Sequence, residues 1–134
     1  MSNNVKVSIE KADVDLKLAV SKAMRDADCE DVIASGDSVL IKPNLNGCSI
    51  NGSTSVSVIK AIAQCAYDYG AGEVIIGEGP VKMGKDRINK YFADIGIVDA
   101  AKEVGASFVN FDDYEHIIHK NISENLPEKI GISK

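Results

Sequence analysis

Residues 56–77, VSVIKAIAQCAYDYGAGEVIIG, contain an amphipathic helix, a glycine turn and an apolar strand in direct succession. The apolar residues of the helical part recur at intervals of three and four along one helix face, and they are Val58, Ile59, Ile62, Ala63 and Ala66. Gly70 suits the C-terminal cap of that helix. The run EVIIG is short and continuously apolar, which is typical of a strand covered on both faces. This stretch therefore predicts an α/β fold.

The rest of the chain repeats this alternation of strands and helices. Strands are predicted at 5–9, 38–44 and 107–111, and 114–122 is either one more strand or an edge hairpin. Helices are predicted at 16–27, 88–95 and 97–104, with Asp13 as the first N-cap and with Gly96 and Gly105 as stops. The pattern predicts one α/β domain over 1–134, with an open, mostly parallel sheet in a Rossmann-like three-layer sandwich. Helices are expected on both faces of the sheet, with an antiparallel strand at one edge.

Composition and charge exclude several classes of protein. The chain has 134 residues, a net charge of -5 and no tryptophan, which disfavours a nucleic-acid-binding protein. Its polar start is unlike a signal peptide, and no apolar run approaches the ~20 residues of a membrane span. Because Cys29, Cys48 and Cys65 are widely spaced, we expect no iron–sulfur or zinc cofactor bound by this chain alone. Unpaired thiols favour a cytoplasmic location.

Residues 79–86, GPVKMGKD, come close to a phosphate-binding loop. The Gly-x-x-x-x-Gly-Lys spacing is present, but Asp86 stands where that loop needs the hydroxyl of Ser or Thr for Mg²⁺. Pro80 also removes one of the backbone N–H groups that would surround a phosphate. We therefore interpret the segment as a turn, with Asp86 as the cap of a helix that begins at Arg87.

Polar residues gather where the predicted parallel strands end, which is where open α/β sheets bind their ligands. Lys42 and Asn44 end one strand, Gly77 and Glu78 end the next, and Thr54 precedes a helix at the same edge. We predict that these residues bind a ligand. Two interpretations of each charged residue stay open. The lysine either pairs with a carboxylate or phosphate or lies in solvent, and the glutamate either binds a hydroxyl group or metal ion or caps the loop.

The remaining polar pairs are weaker candidates. Asp112 and Asp113 follow the next strand and are typical of a turn, less often of a Mg²⁺ site. His116 and His119 would point to opposite faces of a strand, so they could not share a metal ion there. The sequence shows no complete acid–base pair and no nucleophile, so no catalytic residue is assigned and enzyme activity stays an open question.

Residues 39–113 resemble the family catalogued as domain of unknown function 362. The features that carry the resemblance are VLIKPNLN, a polar loop with STS, VIKAIAQCAYDYGAGEVIIGEGP and IGIVDAAKEVGASFVNFDD. The resemblance implies an α/β domain of a cytoplasmic prokaryotic protein, with Lys42, Asn44, Thr54 and Glu78 at recurring loop positions. Some longer relatives carry a ferredoxin-like domain with iron–sulfur clusters, which implies redox work.

In relatives, the segment that resembles IGISK continues into a second half with a Lys-x-His element, whereas this chain ends at Lys134. The resemblance therefore implies one part of a redox-linked, iron–sulfur-associated protein whose site is completed by a second chain or a C-terminal half. The alternatives are a stand-alone binding module for an anionic metabolite and a non-catalytic interaction domain. A homodimer through an exposed sheet edge is a further expectation, and no nucleic-acid or membrane partner is expected.

Overall fold

The computed structural model describes residues 5–13, 15–46, 50–79, 84–120 and 129–133. Its helices are α1 (Leu16–Asp26), α2 (Val56–Asp68), α3 (Lys85–Asp94) and α4 (Ile97–Glu103). Its strands are β1 (Ser38–Ile41), β2 (Glu73–Glu78), β3 (Ser107–Asn110), β4 (His116–Lys120) and β5 (Lys129–Ser133). Short 3-10 turns occur at Cys29–Asp31, Ile50–Gly52 and Phe111–Asp113. None of the described helices is both long enough and apolar enough to cross a membrane.

The strands β1, β2 and β3 form a parallel sheet in the order in which they follow one another along the chain. The register pairs Ile41 with Ile76 and Glu78 with Asn110. Helix α2 lies in the connection from β1 to β2, and α3 and α4 lie in the connection from β2 to β3. The structure therefore confirms the predicted α/β class with an open, mostly parallel sheet.

The main core lies between this sheet and the helices α2, α3 and α4. Val74 and Ile76 alternate along β2 and are completely buried on the sheet face that these helices cover. Ile59 of α2, Phe92 of α3 and Ile97 of α4 belong to the same cluster and are at most 2% exposed. Each such side chain stabilises the fold by roughly 1.5–3 kcal/mol when it leaves water. The core therefore holds the three strands in position, and this determines where their carboxyl ends lie.

The sheet face opposite the core is open in the described part of the chain. Leu40 of β1 is 56% exposed, and Ile75 of β2 and Val109 of β3 are half-buried. The helices α2, α3 and α4 all pack on the core side. The described residues therefore form two of the three predicted layers, and a helix layer on the second sheet face is not among them.

Helix α1 packs mainly against α2, and its first residue differs from the prediction by a small but informative shift. The N-cap is Asp15, whose carboxylate accepts a hydrogen bond from the backbone nitrogen of Leu18 at 2.9 Å. The predicted cap, Asp13, pairs instead with Lys11 at 2.6 Å. Both positions carry aspartate, so residue type alone does not distinguish them, and the start of the hydrogen-bonded turn decides.

The predicted strand at residues 5–9 is wrong within the described part of the chain, because these residues pair with no other strand there. The three apolar residues of this segment, Val5, Val7 and Ile9, are 81–90% exposed. The segment lies beside α1 through ion pairs of Lys6 with Asp28 and of Glu10 with Lys22. Alternation predicts a strand only where something covers its apolar side, and no described residue does so here.

The strands β4 and β5 form an antiparallel pair of their own. Their register places His116 opposite Ser133 and Lys120 opposite Lys129. All of β4 is exposed. Of the two interpretations of 114–122, one further strand is therefore the one that holds, and its partner β5 lies beyond that segment. The expected edge strand of the parallel sheet is corrected, since within the described residues β4 pairs with β5 and with no strand of that sheet.

Candidate functional site

The carboxyl ends of β1, β2 and β3 lie at one edge of the sheet because the three strands are parallel and nearly in line. Lys42 follows the last residue of β1, and Glu78 and Asn110 are the last residues of β2 and β3. Glu78 and Asn110 are the polar residues of the described chain whose side chains the fold buries most, at 5% and 6% exposure. This edge is where the sequence analysis expected a ligand site.

The salt bridge between Lys42 and Glu78 is the main charged feature of the edge. The Nζ atom of Lys42 lies 3.0 Å from both carboxylate oxygens of Glu78. The backbone nitrogen of Gly79 donates a third hydrogen bond to the carboxylate at 2.9 Å. Two donors thus compensate the buried carboxylate, while the lysine side chain stays 60% exposed. Of the open interpretations, pairing with a carboxylate is therefore the one that holds for Lys42.

Asn44 and Thr54 also come together, but through bonds to each other. The backbone nitrogen of Asn44 donates to the Thr54 hydroxyl at 3.1 Å, and the nitrogen of Thr54 donates to the Asn44 carbonyl at 2.8 Å. The Asn44 amide also donates to the Gly52 carbonyl at 3.1 Å. One step further along the loop, the Ser53 hydroxyl accepts from Asn46 and lies 2.6 Å from the Tyr91 hydroxyl. These bonds join residues 44–46 to residues 52–54 and attach Ser53 to Tyr91 of α3.

Gly77 lies beside this pair on β2, and its hydrogen side chain has a clear packing reason. A Cβ atom there would lie 2.4 Å from the ring of Phe111 and 3.0 Å from Val109. The close approach places an aromatic ring over the end of the sheet. The structure thus explains the glycine by packing, and a role of Gly77 in cofactor binding stays a prediction.

The segment that resembles a phosphate-binding loop lies partly outside the described residues, since 80–83, with Pro80, are not among them. Helix α3 begins at Lys85 after Gly84, whose φ of 72° is in the left-handed region that glycine tolerates. The predicted cap Asp86 is therefore corrected, because it lies inside the first helical turn rather than before it. Its carboxylate there still favours the positive end of the helix dipole.

The family resemblance suggests an iron–sulfur cluster, which needs several thiolate or other ligands close together. No group of three or more His, Cys, Asp or Glu side chains in the described ranges lies close enough to hold a metal ion. Cys29 is half-buried, Cys65 is fully buried beside α1, and Cys48 lies outside the described residues. Burial, with Asp68 nearby, raises the pKa of the Cys65 thiol, which disfavours the thiolate that a cluster needs. The described residues thus do not fit an iron–sulfur cluster.

Asn110 is the residue of this edge that the sequence analysis missed. The third strand was expected to contribute Asp112 and Asp113, but β3 ends at Asn110 and the two aspartates form a 3-10 turn. The amide oxygen of Asn110 accepts from the backbone nitrogen of Asp112 at 3.1 Å and caps that turn. The available signal was its position, since Phe108 faces the core and a residue two further along a strand faces the same way.

Fold and site together define an α/β domain with an open parallel sheet and a polar carboxyl edge. The chain belongs to the family described as Domain of unknown function (DUF362), whose model matches residues 39–134. The matched range contains Lys42, Glu78 and Asn110 and the elements from α2 to β5. No curated protein and no solved structure matches the chain. The family resemblance inferred from the sequence motifs is therefore confirmed.

Proposed function

We propose that this chain forms one wall of a ligand-binding site at the carboxyl edge of its sheet, within a redox-linked, iron–sulfur-associated cytoplasmic assembly. The main observation in support of a binding site at this edge is the Lys42–Glu78 salt bridge. A carboxylate that is 5% exposed at the end of a strand loses hydration, and the fold retains it by aiming an ammonium group and a backbone N–H at it. The pair lies at the carboxyl ends of parallel strands, which is where open α/β sheets bind their ligands.

The exposed polar groups at this edge support a site that is shared with a second polypeptide. Lys42 is more than half exposed beyond its contact with Glu78, so a second molecular surface can reach the third donor of its ammonium group. Asn44 and Thr54 are held to each other by two hydrogen bonds. Pre-ordered groups of this kind lower the entropic cost of binding. A second polypeptide that covers this edge would complete an enclosed site.

The redox part of the proposal is supported by the family resemblance alone. Relatives that carry iron–sulfur clusters suggest a partner of that kind, whereas the described residues of this chain offer no ligand set for a cluster. The cluster would therefore be held by the second polypeptide. Lys42 and Glu78 would bind and orient a substrate at the shared edge, and the cluster would supply electrons.

Isolation of the protein from its own host under mild conditions, followed by native mass spectrometry and visible absorption, tests this proposal. The expected result is a stoichiometric complex of the 14.3 kDa chain with a second polypeptide that shows iron–sulfur absorption. Lys42→Met should weaken the complex or its bound ligand. The matched control is Lys60→Met, since Lys60 also pairs with a glutamate, Glu103, on α4. A lone 14.3 kDa species without bound mass would contradict the proposal, as would equal complexes from both variants.

The alternative of a stand-alone anion-binding module is favoured by one feature of α2. Ser55 at the N-cap bonds to Ser57 rather than to a helix N–H group. A cavity of about 350 Å³ adjoins this end of the helix, and its lining includes Thr54 and Val56 but also the carboxylate of Asp94. That carboxylate, and the compensation of Lys42 by Glu78, weaken the attraction for an anion. If inorganic phosphate raises the melting temperature of the wild-type protein but not that of Lys42→Met, the anion-binding module would be favoured over the site shared with a second polypeptide.

The third alternative, an interaction domain that dimerises through the sheet, is favoured by the edges of the sheet. In the described residues, β1 and β3 each pair with β2 alone, so each leaves one side of its backbone unpaired. Analytical ultracentrifugation over a range of concentrations would show a dimer. A dimer that binds neither a ligand nor a second polypeptide would favour the interaction domain over the shared binding site.

A further inference from the structure

The open face of the parallel sheet is apolar in its middle and carries a carboxylate at one end. Leu40, Ile75 and Val109 form the apolar part, although parallel sheets are ordinarily covered on both faces. Glu73 alternates in step with Ile75 and is exposed at the amino end of β2. It accepts a hydrogen bond from Ser38 at 2.9 Å, and no cation among the described residues pairs with it.

The hairpin of β4 and β5 is a second exposed element with apolar side chains. Every residue of β4 is exposed, including Ile117 and Ile118. Within the described ranges the two strands pair only with each other. A two-stranded hairpin is marginally stable in water unless a further strand or helix packs against it. A surface that covers this hairpin would therefore stabilise it.

The charge of the hairpin is opposite to that of the whole chain. The strands β4 and β5 contain Lys120, Lys129 and two histidines but no carboxylate, whereas the chain has a net charge of -5. The register places Lys120 directly opposite Lys129, where two like charges repel each other. No carboxylate in the described part of the chain pairs with either lysine. A carboxylate on another surface would relieve this repulsion.

One face of the hairpin combines these lysines with an apolar side chain. Residues that are opposite each other, or two apart along a strand, lie on the same face, so Ile118 shares a face with Lys120 and Lys129. The Ile118 side chain lies over Gly131, where an added Cβ atom would be 3.6 Å from its Cδ1 atom. This face thus has an apolar middle and a positive end. It complements the open sheet face, which has an apolar middle and a negative end at Glu73.

We propose that two copies of this chain associate by exchanging hairpins, so that the hairpin of each copy lies on the open sheet face of the other. Leu40 is 56% and Ile118 is 61% exposed in the single chain, so the hairpin does not cover its own sheet. In the dimer, Ile118 would contact the partner's Leu40, and Lys120 and Lys129 would pair with the partner's Glu73. A two-fold axis makes this contact twice. The dimer goes beyond the shared binding site, since it needs neither the salt bridge at the carboxyl edge nor a second kind of polypeptide.

Sedimentation equilibrium of the full chain tests the proposal. The expected result is a dimer of twice 14.3 kDa that dissociates more readily as the salt concentration rises. Ile118→Ser and Leu40→Ser should each weaken the dimer by about tenfold or more, because each removes apolar area from both contacts. Leu18→Ser is the matched control, since Leu18 is 63% exposed on α1, and it should leave the dimer unchanged. A monomer at all concentrations would overturn the proposal, as would a dimer that neither variant weakens, which would place the contact at the unpaired edges of β1 and β3.

Charge reversal gives a second test that a dimer through another surface would not pass. The Glu73→Lys chain and the chain with both Lys120→Glu and Lys129→Glu should each be mainly monomeric, because like charges then meet in both contacts. When the two chains are mixed, both contacts join opposite charges again, so a heterodimer should form with an affinity near that of the wild-type dimer. Lys102→Glu is the matched control, since Lys102 is 73% exposed on α4, and it should leave the wild-type association unchanged. A mixture that stays monomeric, or single chains that dimerise as the wild type does, would overturn the proposal.

Discussion

The ring of Phe111 lies against Gly77 with no room between them for a side-chain carbon. A Cβ atom on Gly77 would lie 2.4 Å from Cε1 and 2.5 Å from Cζ of that ring. Gly77 alternates with the core-facing Ile76 and Glu78, so the ring covers part of the sheet face that is otherwise open. The glycine in the Gly77-Glu78-Gly79 sequence thus serves packing at the very edge where the candidate site lies.

Gly77→Ala should lower the free energy of unfolding by about 1–3 kcal/mol, because the Phe111 ring must leave its position. Urea denaturation of the variant measures this change. In a Phe111→Leu background the same alanine should cost less, since the ring atoms that it meets are absent. Equal costs in both backgrounds would show that the close approach is not the reason for the glycine.

Lys42→Met should destabilise the protein by about 1–3 kcal/mol, because the buried Glu78 carboxylate then keeps only its bond from Gly79. Methionine retains the apolar stem of the side chain, so the change isolates the charge. Lys60→Met should cost no more than about 1 kcal/mol, since its partner Glu103 is 62% exposed. The double variant Lys42→Met, Glu78→Gln should recover part of the lost stability, because no buried charge is then left without its partner. Urea denaturation midpoints that show no recovery would contradict the pairing of the two residues.

Asp15→Ala should cost about 1 kcal/mol, because the Leu18 N–H group at the start of α1 loses its acceptor. Asp13→Ala is the matched control, since that exposed aspartate only pairs with Lys11, and its cost should stay within about 0.5 kcal/mol. Hydrogen exchange at the first turn of α1 should rise in the first variant alone. The opposite order of the two costs would restore Asp13 as the cap.

Cys65 should react slowly with iodoacetamide in the native protein, because its side chain is 1% exposed and burial raises the pKa of its thiol. Cys29 is half-buried and should be alkylated before Cys65. Peptide-resolved mass spectrometry after short labelling times gives both rates. Equal rates for the two thiols without denaturant would show that α1 opens readily from α2.

The free energy of unfolding should fall as the pH rises above the usual range of thiols. Burial raises the pKa of both the Cys65 thiol and the Tyr69 hydroxyl in the folded chain. In the unfolded chain they lose their protons at lower pH, so high pH favours unfolding, while the full stability is present below about pH 8.5. Cys65→Ala should flatten the first part of this fall. Urea midpoints that stay constant up to about pH 10 would contradict the expectation.

The α/β class, the parallel direction of the strands and the position of the polar edge could be predicted from the sequence, because they depend on local signals. The run from α2 to β2 combines a helical apolar face, a capping glycine and an apolar strand, and each signal agrees with the others. Parallel strands must end at one edge, which was enough to bring Lys42 and Glu78 together. The 3.0 Å pairing itself depends on the register, which alternation along one strand does not determine.

The features that escaped prediction depend on contacts between distant residues. Asn110 is chemically notable because β3 ends there and the next turn uses its oxygen, which the adjacent Asp112 and Asp113 obscure. The segment around Val7 alternates as a strand does, yet no described residue covers it. The partner of β4 is β5, and the sequence of the tail does not by itself determine which strand it pairs with. In each case the missing information was the identity of a neighbour rather than a local preference.

Because β2 pairs with both β1 and β3, it is the strand around which the sheet must assemble. Each of the two pairings joins strands that follow one another along the chain and are connected through helices. Each pairing can therefore form independently of the other. We expect α2 and β2 to form the folding nucleus, because they are adjacent in sequence. Ile59 of α2 and Val74 of β2 also belong to the same core cluster. Glu78 would then be placed early, and Lys42 would reach it only when β1 joins. Formation of that ion pair would therefore report the last step in closing this side of the fold.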